Sequence, residues 1–191
     1  MTSRVPPRLR DLTSADADRV LEITRITGVF REDELRIAEE VFADCVSHPG
    51  PSGGDAKRGP MVDPGANADP QSGGGRPYYG LGAELDNRLV GWICWGQTPC
   101  TQETWDLYWL AVDPAAHGRG VGRALVAEME RRLTGRARLI SIDTSGRLDY
   151  APTRAFYTAL GYHAVAIVPD FYAPGDDQVI FTRQLGGSSP G

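Results

Sequence analysis

The densest concentration of residues able to do chemistry is the run His117-Gly118-Arg119-Gly120-Val121-Gly122-Arg123. It follows the apolar, aromatic stretch Leu107 to Val112 and the breaker Asp113-Pro114, and it opens a segment with helical periodicity. Glycine carries no Cβ, so Gly118, Gly120 and Gly122 leave room for a phosphate to approach the backbone. They also permit the positive φ angles that an amide-lined turn needs. The first amides of a helix lack intrahelical partners, and the helix dipole adds partial positive charge at the same end. Arg119 and Arg123 add mobile cations. The predicted chemistry is the cradling of a phosphate or pyrophosphate, with each amide contributing about 1.5–3 kcal/mol toward a charged acceptor. The plain alternative is a glycine-containing helix entry that serves packing alone. Two other phosphate motifs do not fit. A dinucleotide fold needs G-x-G-x-x-G after a first strand with an acid about twenty residues on, and a P-loop needs Gly-Lys-Ser/Thr.

The elements that must position this loop can be read from periodicity. Arg8 to Leu12 reads as a short strand, and Thr13-Ser14-Ala15-Asp16 as a helix start with a hydroxyl cap and an acid three residues later. Val20, Leu21 and Thr24 follow at helical spacing, and Gly28 ends that helix. A second helix, Glu32 to Val46, carries the apolar stripe Leu35, Ala38, Phe42 and Cys45. Tyr78 to Leu85 and Leu89 to Trp95 read as a hairpin around Asp86-Asn87, and Thr104 to Val112 as a third strand. The helix Arg119 to Leu133 buries Val121, Leu125, Met129 and Leu133, turns Glu128, Arg131 and Arg132 to water, and stops at Gly135. A strand at Ala137 to Asp143, a helix at Pro152 to Leu160 ended by Gly161, and strands at His163 to Val168 and Gln178 to Leu185 complete the order βααβββαβαββ. That is a mixed α/β fold.

At 191 residues the chain suits one domain with a real core. Residues 48–77, rich in Gly and Pro and poor in large apolar side chains, read as a flexible insertion, with a gating loop as the sharper alternative, and 186–191 as a disordered tail. A net charge of −5 argues against a general nucleic-acid binder. The apolar runs fall short of a membrane span, and the first residues lack a secretory leader, so the expectation is a cytoplasmic protein. Cys45, Cys94 and Cys100 show neither disulfide nor zinc spacing, and no metal site is expected. Cys45 and Cys94 read as buried small hydrophobes, and His48 and His163 as structural or exposed.

The block LAVDPAAHGRGVGRAL resembles the acetyl-CoA signature Gln/Arg-x-x-Gly-x-Gly/Ala of the GNAT superfamily of N-acetyltransferases. Downstream, Arg154-Ala155-Phe156-Tyr157-Thr158-Ala159-Leu160-Gly161-Tyr162 resembles that superfamily's Phe-Tyr-x-x-x-Gly-Phe helix. Both blocks stand in the expected order, and the resemblance spans about Tyr78 to Leu185. Two positions depart from the pattern. His117 stands where Gln or Arg is usual, which weakens a side-chain phosphate contact, and Tyr150 stands where many members carry Asn.

The resemblance implies a GNAT-type mixed, mostly antiparallel sheet flanked by helices. It implies acetyl-CoA as cosubstrate, with the pyrophosphate on His117 to Arg123 and the pantetheine arm on the backbone of Leu110, Ala111 and Val112. Direct acyl transfer needs a base for the ammonium, a donor for the oxyanion and an acid for the departing thiolate. Asp106, where related enzymes place a glutamate, is the implied base, acting directly or through water. A strand-end aspartate that binds a loop is the alternative, and Glu103 and Glu84 are reserves. Tyr157 is the implied acid, against a core aromatic. The implied function is acetyl transfer to a primary amine on a small molecule, amino acid or peptide. The competing class is a non-catalytic acyl-CoA-binding module. The expected partners are acetyl-CoA and an amine acceptor, without nucleic acid or membrane, and a homodimer is left open. Asp170 to Asp177 reads as an acidic, aromatic loop suited to a cationic amine, or as a solvated turn. Trp92, Trp95, Trp105 and Trp109 line either the acceptor cleft or the core.

Overall fold

The computed structural model describes residues 5–47 and 78–186. The proposed insertion at 48–77 lies outside the described residues, as does the tail beyond Gly186. The chain runs β1 (Arg8–Asp11), α1 (Ala17–Ile26), α2 (Glu32–Ser47), β2 (Tyr79–Leu85), β3 (Arg88–Gln97), β4 (Thr104–Val112), α3 (Val121–Leu133), β5 (Leu139–Ser145), α4 (Ala151–Ala159), β6 (His163–Ala173) and β7 (Asp176–Gln184). This is the order predicted from periodicity. Single 3-10 turns precede α1, α3 and α4.

The strands form one sheet in the order β1-β2-β3-β4-β5-β7-β6. Every neighbouring pair is antiparallel except β4 and β5, which α3 joins as a parallel crossover. Asp86 and Asn87, at φ 52° and 59°, close the β2–β3 hairpin in the left-handed region that primed turns require. A helical layer covers each face. On one, Val121, Leu125, Met129 and Leu133 of α3 pack with Ile93, Leu107, Ile140, Ile142 and Tyr157. On the other, Val20 and Ile23 of α1 and Ala38, Phe42 and Cys45 of α2 cover Trp92, Cys94 and Ala111. Among the described residues no helix is long and apolar enough to cross a membrane.

Two expectations change in the folded chain, and one pair of buried residues acquires a neighbour. Arg132 does not turn freely to water: its side chain is 12% exposed and bridges Asp11 at 2.9 Å and Glu128 at 3.0 Å, locking α3 to β1. The stretch from Asp170 to Asp177 is not a loop, because β6 extends to Ala173 and only Pro174-Gly175 form the turn before β7. Cys45 and Cys94, 49 residues apart with no spacing to link them, meet between α2 and β3 with their sulfurs 3.3 Å apart. Both are free thiols, and burial pushes the Cys94 thiol up.

β1 is held to β2 by charge. Glu84 is buried, and it accepts from Arg10 Nε at 2.5 Å and from Arg8 Nη2 at 2.7 Å. This network removes Glu84 from the list of candidate bases. Arg10 first and Arg8 second hold its carboxyl below the ordinary value of 4.5. The folded state therefore favours the anion, so the stabilisation is complete above the unfolded value and fades as pH falls through the lower folded one. Glu84→Gln is expected to cost about 1–3 kcal/mol in urea unfolding at pH 7. The gap to wild type should close below about pH 4. A pH-independent difference would mean that shape, not charge, holds β1.

Candidate active site

The site begins with a register change. From Gly91–Val112 to Cys94–Trp109 the β3–β4 pairing is regular, but Trp95 then faces Leu107, so β4 carries Tyr108 as an extra residue. Such a bulge bends its strand and increases the local twist. It also resets which face each side chain meets: Leu107 and Leu110 pack toward α3, whereas Trp109 and Ala111 pack toward α1 and α2. On the other edge of β4, pairing with β5 runs from Thr104–Leu139 to Leu107–Ile142 and stops there. Both strands continue, β4 to Val112 and β5 to Ser145. Past the bulge the sheet therefore forks, and among the described residues the β5-facing backbone edge of β4 from Tyr108 onward has no strand partner.

One end of the fork is the glycine loop. Asp113 anchors it by accepting from Ala115 N at 2.9 Å and from the Arg19 guanidinium of α1. His117 to Gly120 are exposed, and Gly118 and Gly120 adopt φ of +70° and +82°. Among the described residues, and beyond the chain neighbours, nothing lies within 4 Å of a Cβ built on either glycine. Their role is thus conformational, and the space above them is open. Gly122 differs from the expectation, since its Cβ would meet Phe156 Cζ at 3.2 Å, making it the glycine that lets α3 and α4 pack closely. The first bond into the body of α3 runs from Ala124 N to Gly120 O at 3.0 Å, so Val121, Gly122 and Arg123 supply the amides of the opening turn. The Val121 side chain is buried and the Arg123 side chain exposed. His117 Nε2 lies 3.1 Å from Val112 O, which requires the Nε2–H tautomer and folds the ring onto the strand end.

The other end is a cleft of about 270 Å³ between β4, β5, α4 and the α1–α2 connection. Asp106, Trp109, Leu110, Asp143, Tyr157 and Tyr172 all contribute to its wall. Asp106 sits one residue before the last paired position, and its Oδ2 accepts from Thr98 Oγ1 at 2.8 Å and from Tyr108 OH at 3.3 Å. Tyr157 is 4% exposed, its ring packed against Phe156, Tyr162 and Phe181. Burial pushes its phenol above the ordinary tyrosine value, so it stays protonated at neutral pH. Tyr150 also lines the cleft and donates to Val29 O at 3.3 Å. Of the four tryptophans, Trp92, Trp95 and Trp105 are buried in the core, and Trp109 alone reaches the cleft, tilted against Phe30 and stacked on Trp92. Glu103 is a turn residue at φ 57° whose carbonyl accepts from Arg138 and Leu139.

The sequence reading missed Asp143, Phe30 and Arg147, which all line the cleft. An acid at the carboxyl end of a parallel strand was the available signal for Asp143, because ligands of α/β sheets gather at that end. Phe30 and Arg147 lie in connections that carry no signal of their own.

A model of the acetyltransferase (GNAT) family matches residues 56–162, more than half of the chain. The chain belongs to this family. A GNAT protein from Desulfovibrio desulfuricans, described as an acetyltransferase, is 35% identical in its crystal structure, with a TM-score of 0.72 over 94% of this chain and 98% of its own. An uncharacterized N-acetyltransferase of Methanocaldococcus jannaschii is 28% identical over 106 residues, which are 53% of this chain and 64% of that protein, so the match spans under two thirds of the relative. An aminoglycoside 6'-N-acetyltransferase solved with coenzyme A shares the fold, with a TM-score of 0.64, 15% identity and coverage of 96% and 99%. GNAT proteins draw their acyl group from acetyl-CoA. The forked strand edge, the exposed left-handed glycines and the opening turn of α3 fit such a donor.

Proposed function

We propose that this GNAT domain moves an acetyl group from acetyl-CoA directly to a primary amine on a small molecule, amino acid or peptide. The observation that carries this reading is the fork between β4 and β5, which joins the glycine loop at one end to an acidic, aromatic cleft at the other. When bound, acetyl-CoA supplies a thioester whose acyl carbon accepts the amine. The amides of Val121, Gly122 and Arg123, with the backbone of His117 to Gly120 and the Arg119 and Arg123 side chains, hold the pyrophosphate. The open backbone edge of Leu110, Ala111 and Val112 takes the pantetheine amides and supplies the N–H that steadies the oxyanion. His117 must leave Val112 O or share it.

Asp106, held by Thr98 and Tyr108, removes the ammonium proton directly or through a water. Tyr157 gives its proton to the departing sulfur. One C–N bond forms and one C–S bond breaks; the second proton lost from nitrogen returns to Tyr157 through solvent, and the proton held by Asp106 is released. The test is mass-spectrometric detection of N-acetyl product from a panel of primary amines with acetyl-CoA. Product that depends on both substrates and on Asp106 supports the reading. Acetyl-CoA binding without any acetylated amine would leave only the binding function.

A further inference from the structure

The charged groups of the cleft do not balance. Glu34 is engaged by Arg31, whose backbone N–H it accepts at 2.7 Å and whose guanidinium lies at 3.8 Å. Asp176 accepts from Ser145 Oγ at 2.5 Å and pairs with Arg147 at 3.4 Å. Arg147 is further tied to Asp149 and to Val29 O. Two carboxylates then remain, Asp106 and Asp143, and among the described residues no cation pairs with either; their partners are the neutral hydroxyls of Thr98 and Tyr108 and the amide of Gln178. They stand on adjacent parallel strands at the mouth of the fork: Asp106 is paired with Ser141, and Asp143 follows one residue after the last paired position, Ile142. Partial desolvation first, and the Asp106 charge second, raise the Asp143 carboxyl above its ordinary value. Around them the wall is aromatic, with Tyr108, Trp109 and Tyr172 beside Phe30.

We infer that the acceptor is a compact diamine, with one amine reacting beside Asp106 and a second, permanent cation held by Asp143 against the aromatic wall. The inference rests on the transferase reading. When the reacting amine gives its proton to Asp106, that carboxylate is neutralised and the nucleophile is neutral. A monoamine would then leave Asp143, exposed at the mouth of the cleft, balanced by solvent alone, whereas a second cation pairs with it before and during transfer. Ring faces add cation–π attraction, and the spacing methylenes are desolvated against them. The volume of about 270 Å³ lies just below the usual range of ligand sites, and a short chain suffices to fill it. A carboxylate in place of the second cation would meet Asp143 as a like charge.

The experiment compares three acceptors of one length, 1,5-diaminopentane, 1-aminopentane and 5-aminopentanoate, in acetyl transfer from acetyl-CoA. The expected order of kcat/KM is diamine above monoamine by at least about tenfold, with the aminopentanoate lowest. Asp143→Asn should bring the diamine-to-monoamine ratio close to one. In parallel, calorimetry of the CoA-loaded protein with pentane-1,5-bis(trimethylammonium), which has no N–H to acetylate, should show saturable binding that Asp143→Asn abolishes. Equal turnover of diamine and monoamine, or a lysine-containing peptide preferred over the free diamine, overturns the inference and leaves the transferase reading standing. No turnover of any amine, with the bis-quaternary ion still bound through Asp143, defeats the transferase reading and leaves the dication site. Loss of both turnover and bis-quaternary binding defeats the two together.

Discussion

Gly120→Glu is expected to weaken acetyl-CoA binding at least about 100-fold while the domain stays folded, because about two charge-assisted amide contacts are lost. Gly120 caps α3 at φ +82°, where a side chain costs about 1–2 kcal/mol of backbone strain. Beyond its chain neighbours, no atom of the described residues lies within 4 Å of the position a Cβ would take, so the new side chain does not enter the core. The glutamate carries its charge to the mouth of a helix that favours anions, and it competes there with the pyrophosphate. Gly120→Asn is the matched control, since Asn tolerates the left-handed region and adds no charge; less than a tenfold loss is expected from it. Isothermal titration, with circular dichroism to confirm the fold, reads both. If Gly120→Glu binds acetyl-CoA as wild type does, the loop is a packing device and the pyrophosphate lies elsewhere.

Tyr157→Phe should lower kcat by roughly 100-fold and leave the affinity for acetyl-CoA unchanged, the size expected when one positioned proton donor is removed. The ring is retained, so its contacts with Phe156, Tyr162 and Phe181 survive and the melting temperature should move little. The sign of the pH effect follows from burial. Because the folded phenol titrates above its ordinary value, this group donates throughout the neutral range, and it causes no alkaline loss of kcat below about pH 10. An unchanged kcat in Tyr157→Phe, with chemistry shown to be rate-limiting by single-turnover measurement, would return Tyr157 to the core aromatics.

Much of this was legible in the chain itself. The α3 stripe at Val121, Leu125, Met129 and Leu133, the hairpin at Asp86-Asn87 and the glycine stops at Gly135 and Gly161 are local signals. Each rests on a period or a φ requirement that neighbouring residues impose. The proposed phosphate loop belongs to the same class, since its chemistry would lie in consecutive amides at one helix start. The α1–α2 face was also visible, because Leu35, Ala38, Phe42 and Cys45 recur at helical spacing and are all buried.

What the tertiary structure alone decided are the long-range pairings. Nothing in the run from Asp106 to Leu110 announces that Tyr108 is an extra residue, because a bulge exists only relative to the strand opposite. That one displacement opens the fork, turns Trp109 toward the α1–α2 face and ends β4–β5 pairing at Leu107. Asp143, 37 positions beyond Asp106, acquires a shifted acidity only when the parallel register sets the two strands side by side. Gly122 shows the same division in a single residue: its type was readable as part of a glycine motif, but its neighbour Phe156 was not. Local sequence specifies backbone conformation through sterics and period, whereas the charge, the exposure and the partner of a side chain depend on segments that only folding brings within reach.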